Sequence, residues 1–170
     1  GLRTYDKYHP FPEEINRRLV DAMGDFLYAP TEQAKKNLLS EHIEEHKIIV
    51  TGNTGIDALL YIADKPYQFQ DELLSRLGKE RRLIVLTAHR RESFGKPMDE
   101  IFHAVSDLVD KNDDIEVLFP IHPNPNVMAS VKKFLDKKDR VYLTPPLEYV
   151  PFVHILKKCY LILTDSGGIQ

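Results

Sequence analysis

Residues 82–112, "RLIVLTAHRRESFGKPMDEIFHAVSDLVDKN", carry the pattern that decides the fold. Leu83–Leu86 is an unbroken apolar run of strand type. It opens into the charged loop His89–Ser93, and Pro97 then stands at the start of a helix. A strand that is apolar at every position needs cover on both faces, the situation of a parallel sheet. The same unit recurs downstream. "IEVLFPIHPNPN" (115–126) gives a strand and a histidine-containing loop, and "VMASVKKFLDKK" (127–138) gives a helix. "RVYLTPPLEY" (140–149) and "VPFVHILKKC" (150–159) supply a further strand, loop and helix. "LILTDSGGIQ" (161–170) ends in a strand, an Asp-Ser-Gly-Gly turn and, at Ile169-Gln170, the first step of a helix.

Upstream the alternation continues. "PEEINRRLVDAMG" (12–24) predicts a helix with acids in its first turn and Ile15, Leu19, Ala22 and Met23 on one face. "DFLYAP" (25–30) and "KIIVTG" (47–52) read as strands, separated by the helix "TEQAKKNLLSEH" (31–42) with Thr31 as N-cap. "TGIDALLYIADK" (54–65) and "FQDELLSRLG" (69–78) read as helices. Strands alternating with helices imply parallel pairing through right-handed crossovers. The expected class is α/β, doubly wound, with no repeat at a fixed period.

Composition narrows the function. Of 170 residues, 42% are hydrophobic and 29% charged, enough apolar content for a real core. A net charge of −3 gives no general attraction to nucleic acid or to a membrane surface. No apolar stretch approaches the ~20 residues of a membrane span. The chain opens without a signal-peptide pattern and without an initiator Met, so the true N-terminus is expected to lie upstream. Cys159 is the single cysteine and fits a reducing cytoplasm, as a buried and inert thiol. No Cys/His cluster has zinc spacing, so no metal is expected.

In an open parallel sheet, ligands bind beyond the carboxyl ends of the strands. The loops at those ends hold His89, Arg90, Arg91, Glu92 and Ser93, then His122, then Pro145 and Pro146, then Asp165, Ser166, Gly167 and Gly168. Each has an ordinary explanation. The default for "AHRRESFG" is a solvated charged loop, His122 reads equally as a structural histidine in "HPNP", and "SGG" matches many turns. Glu13 and Glu14 serve as helix-start acids, and Arg17-Arg18 and Lys132-Lys133 as solvated helix faces. Together, however, two guanidiniums, two imidazoles and a glycine turn on one sheet edge suit an anionic, diphosphate-bearing ligand. Neither Gly-x-Gly-x-x-Gly nor a Walker loop occurs, which disfavours a nicotinamide dehydrogenase or a P-loop ATPase.

"GLRTYDKYHPFPEEINRR", "VTGNTGIDAL", "TAHRRESFG", "IHPNP" and "PLEYVPFVHILKKCYLILTDSGGIQ" resemble, in order, the non-hydrolysing UDP-N-acetylglucosamine 2-epimerases. The resemblance implies Rossmann-like parallel sheets in a glycosyltransferase-B-type two-domain arrangement, incomplete in this chain. It implies residues 1–50 as the C-terminal part of the first domain and 51–170 as the second, lacking its C-terminal end. It also implies interconversion of UDP-GlcNAc and UDP-ManNAc by UDP elimination and re-addition, with no cofactor, for surface polysaccharide synthesis. The expected partners are a UDP-sugar substrate, a nucleotide-sugar allosteric activator and a second copy of the chain. As a central fragment the chain alone is expected to be inactive.

Carried over by motif, Glu13 and His89 correspond to catalytic residues. Arg90, Arg91, Glu92, His122, Phe152, Ser166, Gly167 and Gly168 correspond to substrate-binding positions, with Phe152 near the uracil. Tyr5 in "LRTYD" and Phe11 before "PEE" depart from the family's usual Gly and Trp. A hydrolysing relative, a glycosyltransferase and a nucleotide-sugar-binding module are the competing functions, separated by whether the product is UDP-ManNAc, free ManNAc with UDP, or sugar on an acceptor.

Overall fold

A computed structural model describes residues 1–169 of the chain. It divides into two compact units, Gly1–Tyr61 and Ile62–Gln170. The division falls inside a helix, later in the chain than the 50/51 boundary that the motifs suggest.

The first unit holds helix α1 (Glu13–Met23), strand β1 (Leu27–Ala29), helix α2 (Glu32–Ser40) and strand β2 (Ile48–Val50). The strands pair in parallel, with Tyr28 opposite Ile49. Thr31 caps α2 as its sequence predicts, its hydroxyl accepting a 3.1 Å bond from the Ala34 N–H. Ala34 and Leu38 of α2 close over Leu27, Ala29 and Ile48 to form a small core. Helix α1 forms where expected, but Leu19, Ala22 and Met23 on its apolar face are exposed. The buried residue of that helix is Glu14, fully enclosed. Helical periodicity shows which side chains share a face, whereas burial needs a second surface laid against it.

Glu14 is enclosed because it organises the chain before it. Its two oxygens accept the N–H groups of Thr4 and Tyr5, at 3.1 and 3.2 Å. Arg17 and Arg18 each stand 3.5 Å from the carboxylate, so this pair serves more than a solvated face. Burial alone would raise the Glu14 pKa, but the two N–H bonds and the Arg18 and Arg3 charges hold it below the usual range. Arg3, whose side chain is wholly buried, places Nε and Nη2 on the two oxygens of Glu41 at 2.7 Å. Its Nη2 also reaches Asp21 at 2.7 Å, joining the N-terminal segment to α1 and to the end of α2.

Helix α3 (Thr54–Ala63) leads into the second unit. There follow α4 (Glu72–Arg76), β3 (Arg82–Thr87), α5 (Lys96–Lys111), β4 (Ile115–Pro120), α6 (Pro125–Phe134), β5 (Val141–Thr144), α7 (Tyr149–Lys158) and β6 (Leu161–Thr164). The helix expected over 69–78 is confined to 72–76. Asp71 caps its start, and Gly78, at φ 76°, turns the chain away toward β3. Gly95, at φ 82°, makes a similar turn before α5, whose Pro97 stands in the first turn.

The four strands run parallel in the order β5-β4-β3-β6. Alternate residues of β3 and β4 serve two cores, the doubly wound design. Ile84, Leu86, Val117 and Phe119 meet Met98, Phe102 and Val105 of α5 and Val127 and Val131 of α6. Leu83, Val85 and Leu118 meet Leu74, Leu77 and Ile155 on the opposite face. Progress from β3 to β5 goes one way across the sheet, and β6 then returns to the other side of β3. That reversal makes the β3/β6 junction the topological switch point, where the carboxyl ends of diverging strands leave a crevice.

Candidate functional site at the carboxyl edge of the second sheet

The register fixes what meets at this edge. Thr87 lies opposite Thr164, so β3 and β6 end level with each other. The next residues of the two strands are Ala88-His89-Arg90 and Asp165-Ser166-Gly167. Asp165 joins them: its Oδ2 accepts the N–H groups of both His89 and Arg90, at 2.9 and 2.8 Å. Its own N–H donates to the Thr87 carbonyl at 3.2 Å, so each loop holds the other. Ser166 N–H donates to the Thr164 hydroxyl at 2.9 Å.

His89 is half-exposed and its ring lies nearly parallel to that of His122, 14° apart with centroids at 5.7 Å. His122 comes from the loop after β4, so the two expected histidines do converge. Arg90 and Arg91 are exposed, in or beside the short 3-10 turn Arg91–Ser93, and Arg90 Nη1 lies 3.8 Å from Glu92 Oε1. These guanidiniums have little internal work to do, which leaves them available to an anion.

The turn at Gly167–Ile169 is open. A Cβ placed on Gly167 would meet no atom within 4 Å, and its φ is not in the left-handed region. Nothing among the described residues therefore demands glycine there. The helix start read at Ile169-Gln170 includes Gln170, which lies outside the described residues; Ile169 itself is in a turn.

Phe152 sits in α7, half-buried against the Leu77–Ile155 core. Glu13 belongs to the first unit and is exposed at the start of α1. Cys159 is half-buried, its thiol donating to the Leu156 carbonyl at 3.1 Å, and burial raises its pKa. Among the described residues, no cluster of three or more His, Cys, Asp or Glu side chains has the arrangement to hold a metal ion, and no helix is long and apolar enough to cross a membrane.

Sequence reasoning missed Asp165 as a site residue, treating it as part of a turn. Its role depends on β6 pairing with β3, across 75 residues of chain. The one available signal was its place directly after a strand, shared with His89.

Comparison with known proteins identifies relatives of the chain. The family model for UDP-N-acetylglucosamine 2-epimerase matches residues 1–170. The UDP-N-acetylglucosamine 2-epimerase of Escherichia coli K12 is 44% identical over 177 residues, covering 100% of this chain and 47% of that protein. The structure of S. aureus MnaA with UDP is 47% identical with a TM-score of 0.90, covering 99% of this chain and 46% of that one. The Neisseria meningitidis UDP-GlcNAc 2-epimerase bound to UDP-GlcNAc is 40% identical with a TM-score of 0.84, covering 99% and 47%. The chain thus spans about half the length of the curated relatives it matches.

Proposed function

The chain belongs to the UDP-N-acetylglucosamine 2-epimerase family, and on that premise we propose that the protein containing it interconverts UDP-GlcNAc and UDP-ManNAc. The reaction runs by anti or syn loss of UDP across the first and second sugar carbons. A base takes the proton from the second carbon, the bond from the first carbon to the UDP oxygen breaks, and 2-acetamidoglucal remains. UDP then adds back while the second carbon regains a proton on its other face.

The observation that carries this reading is the tie between the His89-Arg90 loop and the Asp165-Ser166 turn at the sheet's switch point. It brings an imidazole, exposed guanidiniums and an open glycine turn to one edge of the sheet. In this reading Arg90 and Arg91 take the diphosphate, Ser166 bonds the phosphates, and Gly167 and Gly168 supply the close approach that a side chain would obstruct. His89 exchanges a proton with the reacting sugar or the departing UDP, and Glu13 supplies the second acid/base group. Glu92 and His122 line the crevice and Phe152 lies near the uracil.

The same proposal places residues 1–50 in the first Rossmann-like domain and residues 51–170 in the second. It has the protein acting as a cytoplasmic homodimer for surface polysaccharide synthesis, responsive to a nucleotide-sugar activator. The 170-residue chain alone would bind UDP weakly without epimerising.

The test is to incubate the full-length protein with UDP-GlcNAc in deuterated water and follow the sugar protons by NMR. UDP-ManNAc carrying deuterium at the second carbon is the expected product. Free ManNAc with UDP would replace the proposal by the hydrolysing reaction, and no change in the sugar would overturn both.

A further inference from the structure

Asp165 has a second oxygen that the loop anchor does not use. Oδ2 is occupied by the His89 and Arg90 N–H groups. Oδ1 is buried and has no hydrogen-bond partner, an expensive condition for a carboxylate oxygen. The Nδ1 atom of His89 stands 3.8 Å from it. The Asp165 side chain is only 12% exposed and its Oδ2 is fixed by two bonds, whereas the His89 ring is 45% exposed. A small rotation of the imidazole brings Nδ1 within bonding distance of an acceptor that lacks a donor.

We propose that Asp165 is a positioning residue for His89: its Oδ1 accepts the Nδ1–H, fixing the imidazole in the tautomer that leaves Nε2 as the free, proton-accepting nitrogen. A carboxylate can only accept, so the opposite tautomer, with a bare Nδ1, would set two acceptors against each other. His122 stacks on the face of the ring, and Arg90 follows His89 in the chain. Its effect on turnover rests on the proposed epimerase function; its effect on the tautomer does not.

Asparagine at this position separates the two jobs. Asp165→Asn keeps one oxygen for the His89 and Arg90 N–H groups, but presents an amide NH2 to Nδ1 and so favours the Nε2–H form. With 15N-histidine labelling of the full-length protein, and His89→Gln to assign the signal, neutral wild-type His89 should show the Nδ1–H pattern. Asp165→Asn should shift it to Nε2–H. In the epimerase assay the variant should lose at least ~100-fold in kcat, with KM changed by less than about three-fold, as expected when a base is held in the wrong tautomer.

Wild-type His89 found as Nε2–H would overturn the proposal, even if the variant failed to fold. So would an unchanged tautomer in a folded Asp165→Asn protein. A full-length protein that showed the expected tautomers but no epimerisation would leave the positioning role standing and remove the function proposed above.

Discussion

The hydroxyl oxygens of Thr87 and Thr164 lie 2.6 Å apart, where β3 and β6 end side by side. This contact closes the sheet at its switch point and sets the height from which both functional loops depart. One further residue along each strand brings the chain to Ala88 and Asp165, and the latter reaches back to the N–H groups of His89 and Arg90. The site geometry is thus an extension of strand register rather than a property of loops alone.

From that placement, His89→Ala in the full-length protein should lower epimerase turnover by ~100-fold or more, the usual scale for losing a general acid/base group. The protein should keep its thermal midpoint, because the ring is half-exposed outside both cores. Turnover near the wild-type value would leave His89 without a catalytic role.

Replacing Arg90 and Arg91 singly by Lys should raise KM for UDP-GlcNAc by about ten-fold for the arginine that grips the diphosphate. Lysine keeps the charge but lacks the planar fork that binds two oxygens together. Steady-state kinetics of the two variants decides it; unchanged KM in both would remove diphosphate binding from this loop.

Arg3→Met tests the buried ion cluster of the first unit. Leaving Glu41 and Asp21 without their guanidinium should cost on the order of 3 kcal/mol at neutral pH. The bond from Arg3 outweighs burial and holds the Glu41 pKa below its ordinary value near 4.5. Stabilisation from a depressed carboxylate is complete above that ordinary value and drains away as pH falls through the lower, folded one. The gap in denaturation midpoint between wild type and variant should therefore be widest near pH 7 and narrow below pH 4.5.

Phe102→Ala should destabilise the second unit by about 3–5 kcal/mol, since the ring is wholly buried and packs 5.4 Å from Phe119. Phe26→Ala, at a ring 62% exposed, should stay within about 0.5 kcal/mol. Urea unfolding of the two variants makes the comparison.

Much of this architecture was legible because burial leaves a strong mark on strands. "LIVL" and "EVLF" are sandwiched between helices, and their composition says so. The convergence of His89 with His122 was also legible, since strand ends in a parallel sheet share one edge. Glu14 was harder: its sequence context is that of any helix-start acid, and its enclosure depends on the segment Thr4-Tyr5 folding back over it. Leu19 and Met23 misled for the complementary reason, as an apolar stripe records what a helix can bury and not what lies beside it. Asp165 escaped notice because its partners lie in the loop after β3, a strand that β6 pairs with only after three crossovers.

The strand order has a consequence for how the molecule breathes. β4 has a partner along both edges and a helical layer over each face, so its amides are released only when the sheet itself comes apart. β1 and β2 form a two-stranded ladder three residues long, with Tyr28, Ile49 and Val50 exposed. In deuterium exchange, Val117, Leu118 and Phe119 should be among the last protons to leave, and the Leu27–Ala29 and Ile48–Val50 amides should go early. The loop around His89 is therefore mounted on a strand that, like β4, is paired along both edges, whereas Asp165 follows the edge strand β6.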